Sequence, residues 1–147
     1  TDIRGAMNQQ DIMQYMPHRP PMLLLHEARL AGEGEATGAY HVRGDEGFLK
    51  GHFPGNPVVP GVMLCEMIAQ TAGILVKDEL QKGRTPLFVG IEGVRFRRMV
   101  KPGDVVHTAC SLLRQAGSLI RIRGEATVEG ELCCKGEFLL MLTQAEA

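Results

Sequence analysis

Residues 62–82 read as a helix with no polar face, and this stretch constrains the rest of the chain more than any other feature. Leu64, Met67, Ile68, Ala72, Ile74 and Leu75 put apolar groups on nearly every side, and a helix of that kind holds in water only when other structure encloses it. Gly83 and Pro86 end it. The enclosure has to come from six strand candidates, at residues 22–30, 33–43, 87–97, 105–114, 119–129 and 132–143. Val106, Thr108, Cys110 and Leu112 alternate with their neighbours, as do Ile120, Ile122, Gly124, Ala126 and Val128. Gly32 with Gly34, residues 115–118 and residues 129–131 supply turns, and such short connections imply an antiparallel meander. Upstream, Asn8 caps a short helix over residues 9–16, with Ile12, Tyr15 and Met16 on one edge and Pro17 ending it. The fold class is therefore α+β, a curved antiparallel sheet wrapped around one long central helix.

At 147 residues the chain fits one domain over residues 1–147, with Met7 read as the native start and residues 1–6 as an upstream segment. Sixteen basic and 17 acidic residues leave a net charge of -1, which gives no bulk-charge route to nucleic acid. No apolar run approaches the ~20 residues of a membrane span, and the polar N-terminus lacks a signal-peptide core, so the expected location is the cytoplasm. Cys65, Cys110, Cys133 and Cys134 show no Cys-x-x-Cys spacing and read as reduced, buried thiols. His18, His26, His41, His52 and His107 have no metal-ligand spacing, so no metal site is expected. Eight methionines and no tryptophan suit an interior that takes a flexible apolar ligand, or one simply filled by methionine.

The chemistry concentrates in residues 51–70. His52 opens a loop stiffened by Pro54, Pro57 and Pro60, which leaves little ordering still to do. The loop runs through Gly61 into the apolar helix, whose early polar side chains are Glu66 and Gln70. Val62, Glu66, Gln70 and Gly73 share one face, so Gln70 reaches the Glu66 carboxyl and fixes its rotamer. Gly61 lies where backbone N–H groups lack helical partners, a place to polarise a carbonyl or hold an enolate oxygen. A neutral imidazole is a fitting base near neutral pH, and a buried carboxyl that keeps its proton is a fitting acid. Together they suit proton abstraction alpha to a carbonyl with loss of a beta hydroxyl; on spacing alone, a structural loop histidine and a helix-terminal acid remain equally open. Cys65 lies about 100° from Glu66 around the helix, which disfavours a Cys–His nucleophile.

Gly51-His52-Phe53-Pro54, Pro57, Pro60-Gly61-Val62, Glu66 and Ala69-Gln70 closely resemble the signature of the 3-hydroxyacyl-[acyl-carrier-protein] dehydratases of bacterial fatty-acid synthesis. The similarity runs from Met7 through nearly the whole chain: Met16-Pro17-His18-Arg19 with residues 22–25, Gly90-Ile91, Arg95-Phe96, and Lys101-Pro102-Gly103-Asp104 all resemble segments of that family. The resemblance implies a hotdog fold and a hydro-lyase that converts 3-hydroxyacyl thioesters to trans-2-enoyl thioesters without metal or organic cofactor. It implies His52 and Glu66 as the catalytic pair, brought together from two subunits of a homodimer, commonly within a trimer of dimers. It implies Gly61 as the amide donor to the thioester carbonyl, with Phe53, Val62 and Gln70 as further substrate-binding residues. Glu66 fits the plain dehydratase branch, while a dehydratase-isomerase, a hotdog thioesterase and a non-catalytic acyl-binding domain are the competing readings.

Three positions depart from the family pattern. His26 stands where aspartate is usual, Leu87 about where many members carry a tunnel-gating tyrosine, and Met99 where proline is usual. Arg95, Arg97, Arg98 and Lys101 cluster, and Arg114, Arg121 and Arg123 recur on the next hairpin. Arg95, Arg97, Arg98 and Arg121 are the candidates for docking an acidic acyl carrier protein, with a solvated strand surface as the plainer reading.

Overall fold

The computed structural model of the chain describes residues 5–144. The reading of residues 1–4 as upstream sequence lies outside the described residues. A two-residue strand, β1 (Met7–Asn8), runs into α1 (Gln9–Met13). The Asn8 side chain accepts the Asp11 N–H at 2.9 Å and Asp11 Oδ2 accepts the Asn8 N–H at 3.1 Å, a reciprocal cap. This helix stops short of the expected residue 16, because the N–H groups of Tyr15 and Met16 both close on Ile12 O as a final turn. Ile12 and Met16 are buried, as the apolar edge requires.

The first long strand, β2 (Glu27–Gly32), begins later than residue 22. Residues 22–25 find partners in the central helix instead: Leu24 N–H donates to Gln70 Oε1 at 2.7 Å and Met22 O accepts from Gln70 Nε2 at 2.9 Å. The Met22 and Leu23 N–H groups donate to Arg19 O and Gln9 Nε2 donates to Leu25 O, so these backbone groups are paired without a strand neighbour. A glycine turn leads to β3 (Glu35–His41), antiparallel to β2.

The expected single helix over residues 62–82 is divided. It comprises α2 (Gly61–Gly73), a 3-10 turn (Ile74–Val76) and α3 (Lys77–Gln81). The tight turn redirects the chain, so that Leu80 Cδ1 lies 3.5 Å from where a side chain on Gly73 would begin. Helix α2 packs against β3 and three later strands, β5 (Val105–Ala116), β6 (Leu119–Val128) and β7 (Glu131–Leu142). Its Met67 and Ile68 are fully buried, which satisfies a helix without a polar face. Gly124 on β6 makes the close approach possible, since a Cβ there would overlap Ile68 Cγ2.

Among the described residues seven strands form the sheet, in the order β1-β2-β3-β5-β6-β7-β4, where β4 is Pro86–Phe96. The strands β5, β6 and β7 follow the expected meander, and Glu129 (φ 51°) with Gly130 (φ 78°) makes the tight turn between the last two. The position of β4 corrects the simple meander: it pairs with β7 and lies at the sheet edge. Residues 97–104 carry the chain back to β3, where Val42 N–H donates to Asp104 O at 3.0 Å and Gly103 N–H to Val42 O at 2.8 Å. Strand β5 therefore starts beside β3. The curved sheet around α2 is the hotdog arrangement. All four cysteines are buried free thiols, with Cys65 Sγ on α2 4.0 Å from Cys134 Sγ on β7. Among the described residues no helix is long and apolar enough to cross a membrane.

Candidate active site

The loop that carries His52 is anchored before it begins. Buried Glu46 accepts the Tyr40 hydroxyl at 2.7 Å and the N–H groups of Arg43 and Gly44 at 3.0 and 2.8 Å. Burial works against its charge, but these donors outweigh it and hold the carboxyl at a pKa of about 2. From Glu46 the order passes along the backbone, with Leu49 N–H on Glu46 O and His52 N–H on Leu49 O, both at 3.1 Å. Beyond His52, Phe53 and Asn56 exchange N–H and carbonyl bonds at 3.0 and 2.9 Å, and Val58 N–H returns to His52 O at 2.8 Å. The proline-stiffened loop is thus also closed on itself.

Nδ1 of His52 lies 2.8 Å from Val58 O. A carbonyl only accepts, so the contact places the ring proton on Nδ1 and leaves the Nε2 lone pair available as a base. Phe53 stacks on the imidazole with ring centroids 4.1 Å apart while remaining 52% exposed. His52, Gly61 and Val62 line one cavity of about 350 Å³, walled by Val58, Val59, Leu64, Phe96 and Val100. Gly61 opens α2, so its N–H has no intrahelical partner. A Cβ on Gly61 would sit 2.6 Å from the Phe96 ring, so only glycine fits between the helix start and that wall.

Further along α2, Gln70 Nε2 donates to Glu66 Oε2 at 2.8 Å, as the helical spacing predicts. The same amide holds Met22 and Leu24, so Gln70 is a buried junction between the helix and the N-terminal segment. Glu66 and Gln70 line a second cavity of about 210 Å³ with His18, Ala69, Leu87, Phe88 and Leu140. His18 Nε2 stands 3.7 Å from Glu66 Oε2. That juxtaposition spans 48 positions of sequence, and only tertiary structure reveals it. Within one chain His52 and Glu66 open onto separate cavities. Beside these openings apolar side chains lie uncovered: Val62 is 69% exposed, Met99 60%, and β4 leaves Leu87, Phe88, Val89, Ile91 and Phe96 uncovered.

The FabA-like domain matches residues 16–137 of this sequence. The chain belongs to the FabA-like family. It is 44% identical over 134 residues to a 3-hydroxyacyl-[acyl-carrier-protein] dehydratase FabZ of Caldicellulosiruptor saccharolyticus, covering 89% of this chain and 95% of the relative. It is 40% identical to the protein of the same name from Listeria monocytogenes, covering 90% of this chain and 93% of that one. Among solved structures, the dehydratase heterocomplex ApeI:P from Xenorhabdus doucetiae superposes with a TM-score of 0.78 at 22% identity, over 90% of this chain and 91% of that one. That likeness is one of fold.

His26 has a backbone role: its Nδ1 accepts the His41 N–H at 2.9 Å, and its ring stacks on Tyr40 at 4.5 Å. Leu87 lines the Glu66 cavity and Met99 the His52 cavity. The four candidate docking arginines of this FabA-like chain do not form one group. Arg97 and Arg98 border the His52 cavity. Arg98 is engaged, donating to Val128 O at 2.9 Å and lying 3.7 Å from Glu131 and 3.9 Å from Asp104. Arg121 pairs with Glu92 at 3.1 Å and Glu137 at 3.4 Å. Arg95 sits on β4 in register with Lys135.

Proposed function

We propose that this protein removes water reversibly from 3-hydroxyacyl thioesters borne on acyl carrier protein, giving trans-2-enoyl thioesters for fatty-acid synthesis in the cytoplasm. The working unit is a homodimer in which His52 of one copy faces Glu66 of the other, three dimers assembling into a trimer of dimers. The observation that carries this reading is the preparation of two complementary half-sites: a histidine held through Nδ1 and a glutamate with one oxygen engaged, each beside the same uncovered apolar edge. A long apolar edge strand is a pairing surface, and a second copy would bury it and close the gap between the cavities.

In that arrangement His52 Nε2 takes a proton from C2 of the acyl group. The electron pair passes toward the thioester carbonyl, whose oxygen gains charge against the Gly61 N–H at the positive end of α2. Glu66 gives its proton to the C3 hydroxyl, which leaves as water as the C2–C3 double bond forms. Hydration runs the same steps backwards. Phe53, Val62 and Gln70 hold the acyl chain and the acid in place.

Incubation with a series of 3-hydroxyacyl carrier-protein substrates tests this directly. The acyl group should lose one water while staying attached, and His52→Ala or Glu66→Gln should slow turnover by roughly 10²–10⁴-fold. Release of a free acid would make the protein a thioesterase instead, and a double bond moved away from C2 would add an isomerase step. The Arg95, Arg97, Arg98 and Arg121 set serves the carrier protein through Arg97 at the cavity rim, with Arg98 and Arg121 held in internal ion pairs. Arg97→Glu should slow carrier-linked turnover at low salt and leave a short pantetheine thioester unaffected. Unchanged carrier-linked rates would remove Arg97 from docking.

A further inference from the structure

Among the described residues His18 is the one titratable side chain that shares the Glu66 cavity, and the elimination chemistry above makes no use of it. Its backbone is held firmly. Arg19 Nη1 donates to Met16 O and His18 O, each at 2.8 Å, and the N–H groups of Met22 and Leu23 both donate to Arg19 O. The imidazole is therefore presented to the cavity by a loop that braces itself. Its Nε2 points to Glu66 Oε2 at 3.7 Å, while Nδ1 is buried and, among the described residues, has no hydrogen-bond partner.

Its charged neighbours are few. Glu66 faces it from α2 and Arg19 adjoins it in the loop. The other walls, from α2, β4 and β7, are Ala69, Gln70, Pro86, Leu87, Phe88 and Leu140, none of them charged. Burial lowers the imidazole pKa below its ordinary 6.5, Glu66 pulls it back up and Arg19 pushes it down. The ring is therefore neutral at pH 7 and carries a single N–H. Placing that hydrogen on Nδ1 would bury a donor with nothing to receive it, the costlier choice. On Nε2 the same hydrogen faces Oε2 of Glu66.

Oε2 of Glu66 is then approached by two N–H groups, the Gln70 amide at 2.8 Å and the His18 ring at 3.7 Å. The second is longer than a hydrogen bond and acts as an oriented dipole. An oxygen approached by two donors is the poorer place for a proton, so the acidic hydrogen belongs on Oε1. We propose that His18 is a positioning residue for the acid: with Gln70 it reserves Oε2 as the accepting oxygen, so that Oε1 carries the proton delivered to the departing hydroxyl. This rests on the dehydratase reading given above.

The test compares wild type, His18→Phe and His18→Gln on one 3-hydroxyacyl carrier-protein substrate, with thermal melting run alongside. Phenylalanine keeps the bulk and removes the donor; glutamine restores an N–H of similar reach. The Phe variant should lose about tenfold in kcat with KM changed less than about twofold, because a misdirected acid affects the chemical step more than binding. The Gln variant should recover to within about threefold of wild type. Should the Phe variant melt early, His18→Ala takes its place in the same comparison. A folded donor-less variant with wild-type kcat, or a Gln variant no better than Phe, would overturn the role of His18 and leave the dehydratase reading standing. A wild-type protein that removes no water would overturn both.

Discussion

Glu46 is an acid that folding has taken out of water without neutralising it. Three donors converge on its carboxylate, and its pKa falls from 4.5 to about 2. A depressed carboxylate contributes stability that is present above its unfolded pKa and lost as pH falls through the folded one. Wild type should therefore lose urea stability between about pH 4.5 and 2, and Glu46→Gln should lose less over that window; parallel denaturation curves for the two proteins would show that Glu46 contributes nothing. The same carboxylate sits at the start of the backbone route to His52, so the variant should also lower kcat. His52, Gly61, Glu66 and Gln70 were legible because one stretch of sequence carries them at helical and proline-set spacings. Glu46 and His18 were not: each acquires its role from a partner brought in by folding, Tyr40 across a strand end and Glu66 across the cavity.

At the scale of elements, hydrophobic period was a reliable guide where a face is buried. The alternation through Val106 and Ile120 marks the strands that pack on α2, and those residues are buried as the pattern requires. It was a poor guide where a side chain replaces the strand ladder. Met22, Leu23, Leu24 and Leu25 look like strand, yet their backbone is served elsewhere: the Gln70 amide donates to Met22 O and accepts the Leu24 N–H, Arg19 O accepts the Leu23 N–H, and Gln9 donates to Leu25 O. The division of the long helix at Ile74–Val76 was equally hidden, because its residues remain apolar through the 3-10 turn. Helix and sheet meet most closely at Gly124. Gly124→Ala should force Ile68 or the strand to move and cost about 1–3 kcal/mol, read as a fall in the denaturation midpoint. An unchanged midpoint would mean that the interface yields freely.

For the whole molecule, strand order was the least legible feature, since local spacing says nothing about which neighbour a strand chooses. Placing β4 outside β7 leaves an edge where Ile91 is 51% exposed and Phe96 53%. A charge on that edge should be tolerated by an isolated subunit and not by a paired one. Ile91→Glu should yield a folded, slowly sedimenting species with little turnover; a fully active protein of unchanged size would show that the edge is not where copies meet. Because the imidazole and the carboxyl open onto separate cavities of one chain, defects at the two positions should be able to compensate for each other. Co-refolding inactive His52→Ala with inactive Glu66→Gln in equal amounts should form mixed pairs, each retaining one undamaged centre, and restore about a quarter of normal activity by random association.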